Sequence, residues 1–154
     1  MLFTTYKVLL LIHILCAVIW VGGGIMIQLL ALRVVKARDS IHGAAFSRDI
    51  SVVAMRTFIP ASLLLIVSGL GLVHEGNWSW SGWLVFALVV WVASFLSGAL
   101  YLGPQSKRLG DAMAEHGFDS QEAQVRLRNI LNHSRIELLF LILVVCDMVL
   151  KPGQ

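Results

Sequence analysis

The chain has 154 residues, of which 58% are apolar and only 14% are charged, and its mean hydropathy is +0.82. Water-soluble domains usually carry about 45–50% apolar and about 25% charged residues, and disordered chains carry fewer apolar residues still. The composition therefore excludes a disordered chain, argues against a soluble fold, and predicts a single all-α integral membrane domain over residues 1–154.

Four stretches have the composition of transmembrane helices, each of which needs about 20 mostly apolar residues. In chain order we expect these spans at about 8–32, 57–74, 83–103 and 136–150. The first is too long for the apolar region of a cleaved signal peptide, which has about 7–15 residues. The fourth is the weakest because it contains Glu137 and Asp147.

Basic residues are concentrated in two of the connectors between these spans. Residues 33–56 hold five of the twelve Lys and Arg residues, residues 104–135 hold another five, and the connector between spans two and three has none. The positive-inside rule makes both basic connectors cytoplasmic, so both termini are expected outside a bacterial cytoplasmic membrane. The basic residues form no dense run with aromatic residues, so the expected partner is the lipid bilayer and not nucleic acid.

The second basic connector is expected to be helical. Residues 119–122 form a capping-box pattern with Asp119 as the N-cap, and no helix breaker follows before Leu150. Such a helix is about 45 Å long and projects beyond the bilayer. Gly117 is expected to end a short preceding helix, and Gly103-Pro104 to end or kink span three. The predicted architecture is a four-transmembrane-helix bundle with helical cytoplasmic extensions.

Polar residues inside the spans recur three or four positions apart, so they share helix faces that point into the bundle. The predicted depths divide them into two layers. The outer layer contains His13, His74 and Asp147, and the inner layer contains Gln28, Arg56, Tyr101, His133 and Glu137.

His13 is the most informative of these residues, since an ionisable side chain inside a span is costly and indicates a functional site by default. Its functional interpretations are a heme ligand, a proton relay or a quinone contact. The alternative is a neutral imidazole that is hydrogen-bonded across helices, for example to Asp147.

Asp147, Arg56 and Glu137 are candidates for a proton or polar relay. Each carboxylate also has a structural interpretation. Asp147 can pair with Lys151 one turn later, and Glu137 can form an interfacial ion pair with Arg135 and Arg56.

The opening segment YKVLLLIHILCAVIWVGGGIMIQLLALRV, with Lys7, His13, Trp20, Gly22 and Gly23, resembles a group of small bacterial membrane proteins. The ending SRIELLFLILVVCDMVLKPG, which closes on a Lys-Pro pair, resembles the same group. The pattern is most similar to the uncharacterised predicted integral membrane protein family, domain of unknown function 2269. It is more distantly similar to the HemJ-type protoporphyrinogen oxidases and the copper-resistance D-like proteins.

The HemJ-type relatives bind heme, and their first-helix histidine corresponds to His13. The resemblance thus implies heme binding at His13. HemJ-type enzymes also carry a lysine in the third helix, but this chain has none between Trp83 and Gly103. That difference argues against protoporphyrinogen oxidation, and the sequence leaves open whether the protein is an enzyme.

The first functional hypothesis is a heme b-binding membrane redox protein. His13 would be an axial ligand of the heme iron, Trp20 would line the pocket, and His74 and Met148 are both candidates for the second ligand. A quinone is a candidate electron partner. The alternatives are a non-enzymatic subunit or scaffold, packed in a homo-oligomer or a larger membrane complex, and a small proton-coupled transporter using His13 and Asp147.

Overall fold

The structure is a computed structural model that describes residues 4–151, and this part of the chain is almost entirely helical. It contains four long helices and no strand. They are α1 (Thr5–Ala37), α2 (Ser40–Glu75), α3 (Gly82–His116) and α4 (Gln121–Leu150). Successive helices run in opposite directions and are joined by short connections, the shortest being the pair Arg38-Asp39. The prediction of an all-α bundle is confirmed.

Three of the helices, α1, α2 and α3, are long and apolar enough to cross a membrane. With 33 to 36 residues each, they are about 50 Å long and exceed the roughly 30 Å hydrocarbon core. The predicted spans 8–32, 57–74 and 83–103 are therefore parts of longer helices. The fourth predicted span, 136–150, is the end of α4, which is long but does not reach the same level of apolar composition.

The bundle has two halves with different packing partners. In the apolar half, which includes both ends of the described chain, Thr5–Ala17 packs along Ile59–Glu75 and Gly82–Leu96 packs along α4. In the basic half, Ser40–Val53 of α2 packs along Gly103–His116 of α3. The closest helix pairs therefore change along the bundle. They are α1 with α2 and α3 with α4 in the apolar half, and α2 with α3 in the basic half.

The basic half has a compact core. Leu109, Met113, Phe118 and Ala123 are each less than 5% exposed and belong to one buried cluster. The α2 and α3 backbones are close beside it, because a Cβ added to Gly110 would lie 2.9 Å from the carbonyl oxygen of Ala44. The predicted extensions of the spans are thus helical, and they pack on one another.

Side-chain caps begin the two helices that start in this half. The carboxylate of Asp39 accepts hydrogen bonds from the backbone N–H groups of Ile41 and His42 at the start of α2. At the start of α4, the hydroxyl of Ser120 accepts a bond from the N–H of Ala123 at 3.3 Å. The expected N-cap, Asp119, instead pairs with an arginine of the α1–α2 connection at 2.7 Å. The predicted cap was therefore wrong by one residue.

Within residues 4–151, α1, α2 and α3 each contain one π-helical turn, at Val18–Gly22, Ala54–Phe58 and Ser97–Leu102. In α2 and α3 this turn comes just before a proline, Pro60 or Pro104. Proline lacks an N–H donor and its ring clashes with the carbonyl four residues earlier, so a wider turn accommodates it. The helix end considered at Gly103-Pro104 is therefore absent, because α3 continues through its π turn to His116. Gly117 (φ +84°) then ends α3, as expected.

Candidate functional site

A cavity of about 700 Å³ lies between all four helices in the apolar half. We call it the terminal cavity, because Tyr6 and Lys151 near the two ends of the described chain are among its lining residues. Ligand sites in proteins typically have volumes of about 300–1,000 Å³ and mostly apolar walls. The wall here is apolar and aromatic, and its larger side chains include Trp20, Trp78, Trp80, Trp83, Trp91 and Met148.

His13 lies in the wall of this cavity, and its imidazole is fixed by the backbone of α2. Its Nδ1 atom is 3.0 Å from the carbonyl oxygen of Leu65. A carbonyl oxygen can only accept, so Nδ1 carries the proton and Nε2 carries the lone pair. No hydrogen bond to Nε2 occurs within residues 4–151. The hydrogen bond to Asp147 that was considered from the sequence is not formed.

Small residues of α2 make room for this imidazole. A Cβ added to Gly69 would lie 3.0 Å from Cε1 of His13. The hydroxyl of Ser68 is 3.4 Å from Nδ1 and also donates to the carbonyl of Leu65 at 3.0 Å. The imidazole is supported by the backbone carbonyl of Leu65 and by the absence of a side chain at Gly69. A pattern of residue types reveals neither, so this support could not be predicted from the sequence.

The end of the terminal cavity near the chain termini is an aromatic cluster that holds a cation. The rings of Trp78 and Trp83 meet edge to face at 5.6 Å, and Tyr6 packs edge to face on Trp78 at 6.4 Å. The ammonium of Lys151 lies 4.2 Å from the centre of the Trp78 ring. This is a cation–π contact. The alternative ion pair between Asp147 and Lys151 is not formed.

The two candidates for a second ligand are placed differently. Met148 lines the terminal cavity together with His13 and packs against the cluster of Val73 and Trp83. His74 is exposed and is not among the residues that line this cavity. Asp147 does not line it either, although its Oδ2 atom is buried without a hydrogen-bond partner within the described chain.

A second cavity of about 170 Å³, here the central cavity, lies between the apolar and basic halves. Trp20 and Leu141 line both cavities and pack with Val90, so this apolar cluster separates them. The central cavity is the more polar of the two in its side chains. It is lined by Gln28, Ser47, Ser62, Ser94, Ser106, Ser134 and Glu137 among others.

Glu137 is held by a hydroxyl and not by a cation. The hydroxyl of Ser97 donates to Oε2 of Glu137 at 2.8 Å and lies 2.7 Å from Nε2 of His133. The ring of Tyr101 packs on that of His133 at 4.8 Å. The ion pair of Glu137 with Arg135 and Arg56 that the sequence offered is absent from residues 4–151.

The expected inner layer is thus largely brought together. His133 and Glu137 are connected through Ser97, which was not predicted from the sequence, and Tyr101 packs on the ring of His133. Gln28 joins the same level by donating a hydrogen bond to Ser134 on α4. Arg56 is not part of the layer, because its side chain is exposed.

Within residues 4–151, no group of three or more His, Cys, Asp or Glu side chains is close enough together to hold a metal ion. A site for a bare ion that relies on three such ligands is therefore not present in this range. A cofactor that brings most of its own ligands places a smaller demand on the protein, since one or two axial side chains suffice for heme iron.

A family model described as "Predicted integral membrane protein (DUF2269)" matches residues 7–152. The chain belongs to this family. DUF2269 membership confirms the resemblance found in the sequence and places this protein in a lipid bilayer. The Lys-Pro pair near the end of the match includes Pro152, which lies outside the described residues. No curated protein and no solved structure matches the chain. Similarity to HemJ-type and copper-resistance D-like proteins stays a prediction.

Proposed function

We propose that this DUF2269 protein binds heme b in the terminal cavity, with Nε2 of His13 as an axial ligand of the iron. The observation that carries the proposal is the hydrogen bond from Nδ1 of His13 to the carbonyl of Leu65. Metal-binding histidines almost always donate their second ring N–H to a carbonyl or carboxylate, which fixes the tautomer and the ring orientation. Here that arrangement occurs in the wall of a cavity large enough for a cofactor.

The remaining residues of the terminal cavity also fit this group. Trp20 and Trp91 supply flat apolar surface for a porphyrin ring, and the thioether of Met148 is the candidate for the second axial position. The ammonium of Lys151 offers a positive charge to the carboxylates of the heme propionates. Bound heme would supply one-electron redox chemistry, while the protein contributes the ligand, the apolar surroundings and the charge.

The proposal includes the topology expected from the sequence, with four spans in a bacterial cytoplasmic membrane and both termini outside. Residues 136–150 are supported as the fourth span because α4 packs along Gly82–Leu96 of α3, a helix that is apolar enough to cross. The basic segments 33–56 and 104–135 reach the same end of the bundle. The positive-inside rule assigns that end to the cytoplasm.

Absorption spectroscopy of the purified protein, reconstituted with hemin in detergent, tests the heme proposal. We expect a Soret band in the wild type and its loss in His13→Ala. His116→Ala is the matched control, because His116 is an exposed histidine at the end of α3 and lines neither cavity. In Met148→Leu the Soret band should persist and the spectrum of the reduced form should change.

A folded wild-type protein that stays colourless after reconstitution would contradict the proposal. Retention of the full Soret band by His13→Ala would remove His13 as the ligand. The alternatives predict other results: a scaffold tolerates His13→Ala and co-purifies with its partner, and a transporter shows a pH-dependent flux that Asp147→Asn abolishes.

Labelling of single cysteines on intact cells tests the orientation. In a background without Cys16 and Cys146, Ser79→Cys lies in the connection next to the tryptophans and Ile41→Cys lies at the start of α2. A membrane-impermeant thiol reagent should label Ser79→Cys and leave Ile41→Cys unlabelled until the cells are opened. The reverse pattern would invert the topology, and labelling of both positions outside would contradict the predicted spans.

A further inference from the structure

A chain of hydrogen bonds between α3 and α4 links the surface of the bundle to its central cavity. His133 is exposed, and its Nε2 atom is 2.7 Å from the hydroxyl of Ser97. That hydroxyl is 2.8 Å from Oε2 of Glu137, which lines the central cavity. The heme proposal uses none of these three residues.

The donors and acceptors of these three side chains can be arranged in only a few ways. Ser97 has one hydroxyl proton, so its oxygen donates to one neighbour and accepts from the other. When Ser97 donates to the carboxylate of Glu137, the nitrogen Nε2 of His133 must donate to Ser97. Every link then points from the exposed imidazole to the cavity. Such a directed chain is what proton transfer through side chains requires.

Neighbouring groups hold the chain in place. Ser97 is the first residue of the π-helical turn of α3, and Tyr101 of the same turn packs its ring on the imidazole of His133 at 4.8 Å. On the α1 side, Gln28 bonds to Ser134, between His133 and Glu137 in α4. Contacts from α3 and α1 therefore hold this part of α4 beside Ser97.

The charged groups around Glu137 leave its carboxylate able to take up a proton. Ser97 of α3 is its hydrogen-bond partner, and α1 places the neutral Gln28 at this level. On α2, Arg56 is exposed, and on α4, Arg135 is exposed as well. Within residues 4–151, neither arginine forms an ion pair with Glu137.

The central cavity offers a destination for the proton. It has a volume of about 170 Å³ and several serine hydroxyls in its wall. A cavity can hold a water molecule when it offers at least about 10–15 Å³ of such volume and a few polar partners, which these hydroxyls and Glu137 supply. Water in the central cavity would therefore be in hydrogen-bonding reach of a carboxyl group that receives a proton from the surface.

We propose that His133, Ser97 and Glu137 form a proton relay that delivers protons to the central cavity from the water at the cytoplasmic end of the bundle, where the proposed topology places residues 104–135. A proton from water binds Nδ1 of His133, the proton on Nε2 moves to the oxygen of Ser97, and the hydroxyl proton of Ser97 moves to Oε2 of Glu137. One proton has then moved from water to the carboxylate, and no electron is transferred. The relay resets when Glu137 passes its proton to cavity water, the hydroxyl rotates, and the imidazole exchanges its protons with the solvent.

Time-resolved infrared spectroscopy of the full chain in lipid nanodiscs tests the relay. A laser flash releases protons from a caged compound, and the band of the protonated carboxyl group of Glu137 is followed in time. Glu137→Gln identifies the band by removing it. We expect Ser97→Ala and His133→Phe to slow its appearance by about tenfold or more. The two variants keep the final amplitude, because they change the path and not the acceptor.

Two further variants separate the relay from a structural effect. Ser97→Thr keeps the hydroxyl and should restore the wild-type rate, while His116→Phe removes another exposed histidine and should leave the rate unchanged. A wild-type rate in Ser97→Ala, an equally slow rate in Ser97→Thr, or the absence of any Glu137 band would overturn the relay. None of these readouts requires bound heme, so a result that contradicts the heme proposal would not contradict the relay, and the reverse also holds.

Discussion

The same four helices pack tightly in the basic half of the bundle and loosely in the apolar half. In the basic half, Met113 and Ala123 are at most 1% exposed, and the ion pairs of the described residues, such as Arg48 with Asp111, all lie there. In the apolar half, the helices leave a cavity of about 700 Å³ open between them. Lys151, whose side chain lines this cavity, lies over indole rings and not beside a carboxylate.

This difference indicates where stability and where binding are located. A close-packed core is sensitive to the loss of a single methylene, whereas a helix surface that faces an open cavity has fewer contacts to lose. The basic half thus holds the helices together, and the apolar half can accept a ligand without first breaking a packed core. The following predictions test this division, beginning with the largest effect.

Truncation of a core leucine should separate the halves most clearly. Leu109 is 3% exposed in the basic half, so Leu109→Ala should lower the free energy of unfolding by about 2–5 kcal/mol. Leu10 lines the terminal cavity and is 36% exposed, so Leu10→Ala should cost less than about 1 kcal/mol. Denaturant unfolding in detergent, followed by circular dichroism, measures both. Equal losses would show that the two halves are packed alike.

A methyl group added to a glycine gives a second comparison. In Gly110→Ala the new Cβ would lie 2.9 Å from the carbonyl oxygen of Ala44, a backbone atom that cannot rotate away. We expect a loss of about 1–3 kcal/mol in the free energy of unfolding. Gly98→Ala places its Cβ in open space, so it should be neutral or stabilising by up to about 1 kcal/mol. A harmless Gly110→Ala would mean that α2 and α3 are not in backbone contact.

Crowding the imidazole of His13 should affect binding more than folding. The Cβ of Gly69→Ala would lie 3.0 Å from Cε1 of His13, so the ring must shift away from the carbonyl of Leu65. Loss of such a support typically weakens metal binding by about 10–100-fold. We expect at least the lower of these values in a hemin titration, with the unfolding midpoint nearly unchanged. Gly71→Ala is the control, because its Cβ meets only the flexible side chain of Leu9. An equally large loss of hemin affinity in Gly71→Ala would show that the loss is not caused by a shift of His13.

The smallest expected effect is the acid sensitivity of the α2 cap in the basic half. The hydrogen bond from His42 lowers the pKa of the Asp39 carboxyl below its ordinary value of 3.8. A lowered pKa means that the ionised form stabilises the folded state, so this contribution is complete above about pH 4 and is lost as the pH falls through the lowered value.

Asp39→Asn keeps a capping side chain but cannot ionise in this range. The midpoint temperature of thermal unfolding should therefore fall slightly more steeply between pH 5 and pH 2 in the wild type than in Asp39→Asn. Parallel curves would show that the hydrogen bond from His42 does not contribute to stability.

The sequence predicted the parts of this fold that have a local signal. Apolar runs and the concentration of Lys and Arg in residues 33–56 and 104–135 identified the helical segments and their shared polar end, since hydropathy and charge vary along the chain. Gly117 was placed correctly because a positive φ favours glycine. Asp and Ser both cap helices well, so residue type alone could not distinguish the predicted cap of α4, Asp119, from the observed cap, Ser120.

The candidate site was less predictable because its partners are mostly not charged side chains. His13 was predicted to face the bundle interior and it lines the terminal cavity, but its partner is the backbone carbonyl of Leu65. Ion pairs were considered for Glu137 and Lys151, and the structure gives them a serine hydroxyl and an indole face. A pattern of residue types cannot distinguish these partners, because the choice depends on how neighbouring helices are rotated.

The π-helical turns determine that rotation. Each inserts one residue relative to an ideal α-helix, and one residue corresponds to about 100° around the helix axis. The face of α1 after Val18–Gly22 is therefore rotated by about 100° from where a regular helix through the same residues would place it, and with this rotation His13 lines one cavity and Gln28 the other. Deleting a single residue from this turn would leave a regular helix that keeps both side chains on their faces, whereas closing the turn to α geometry with all its residues would rotate one of them away from its cavity by about 100°. A relative of this protein with a one-residue gap at this turn can therefore place the same contact residues at both cavities with a regular helix.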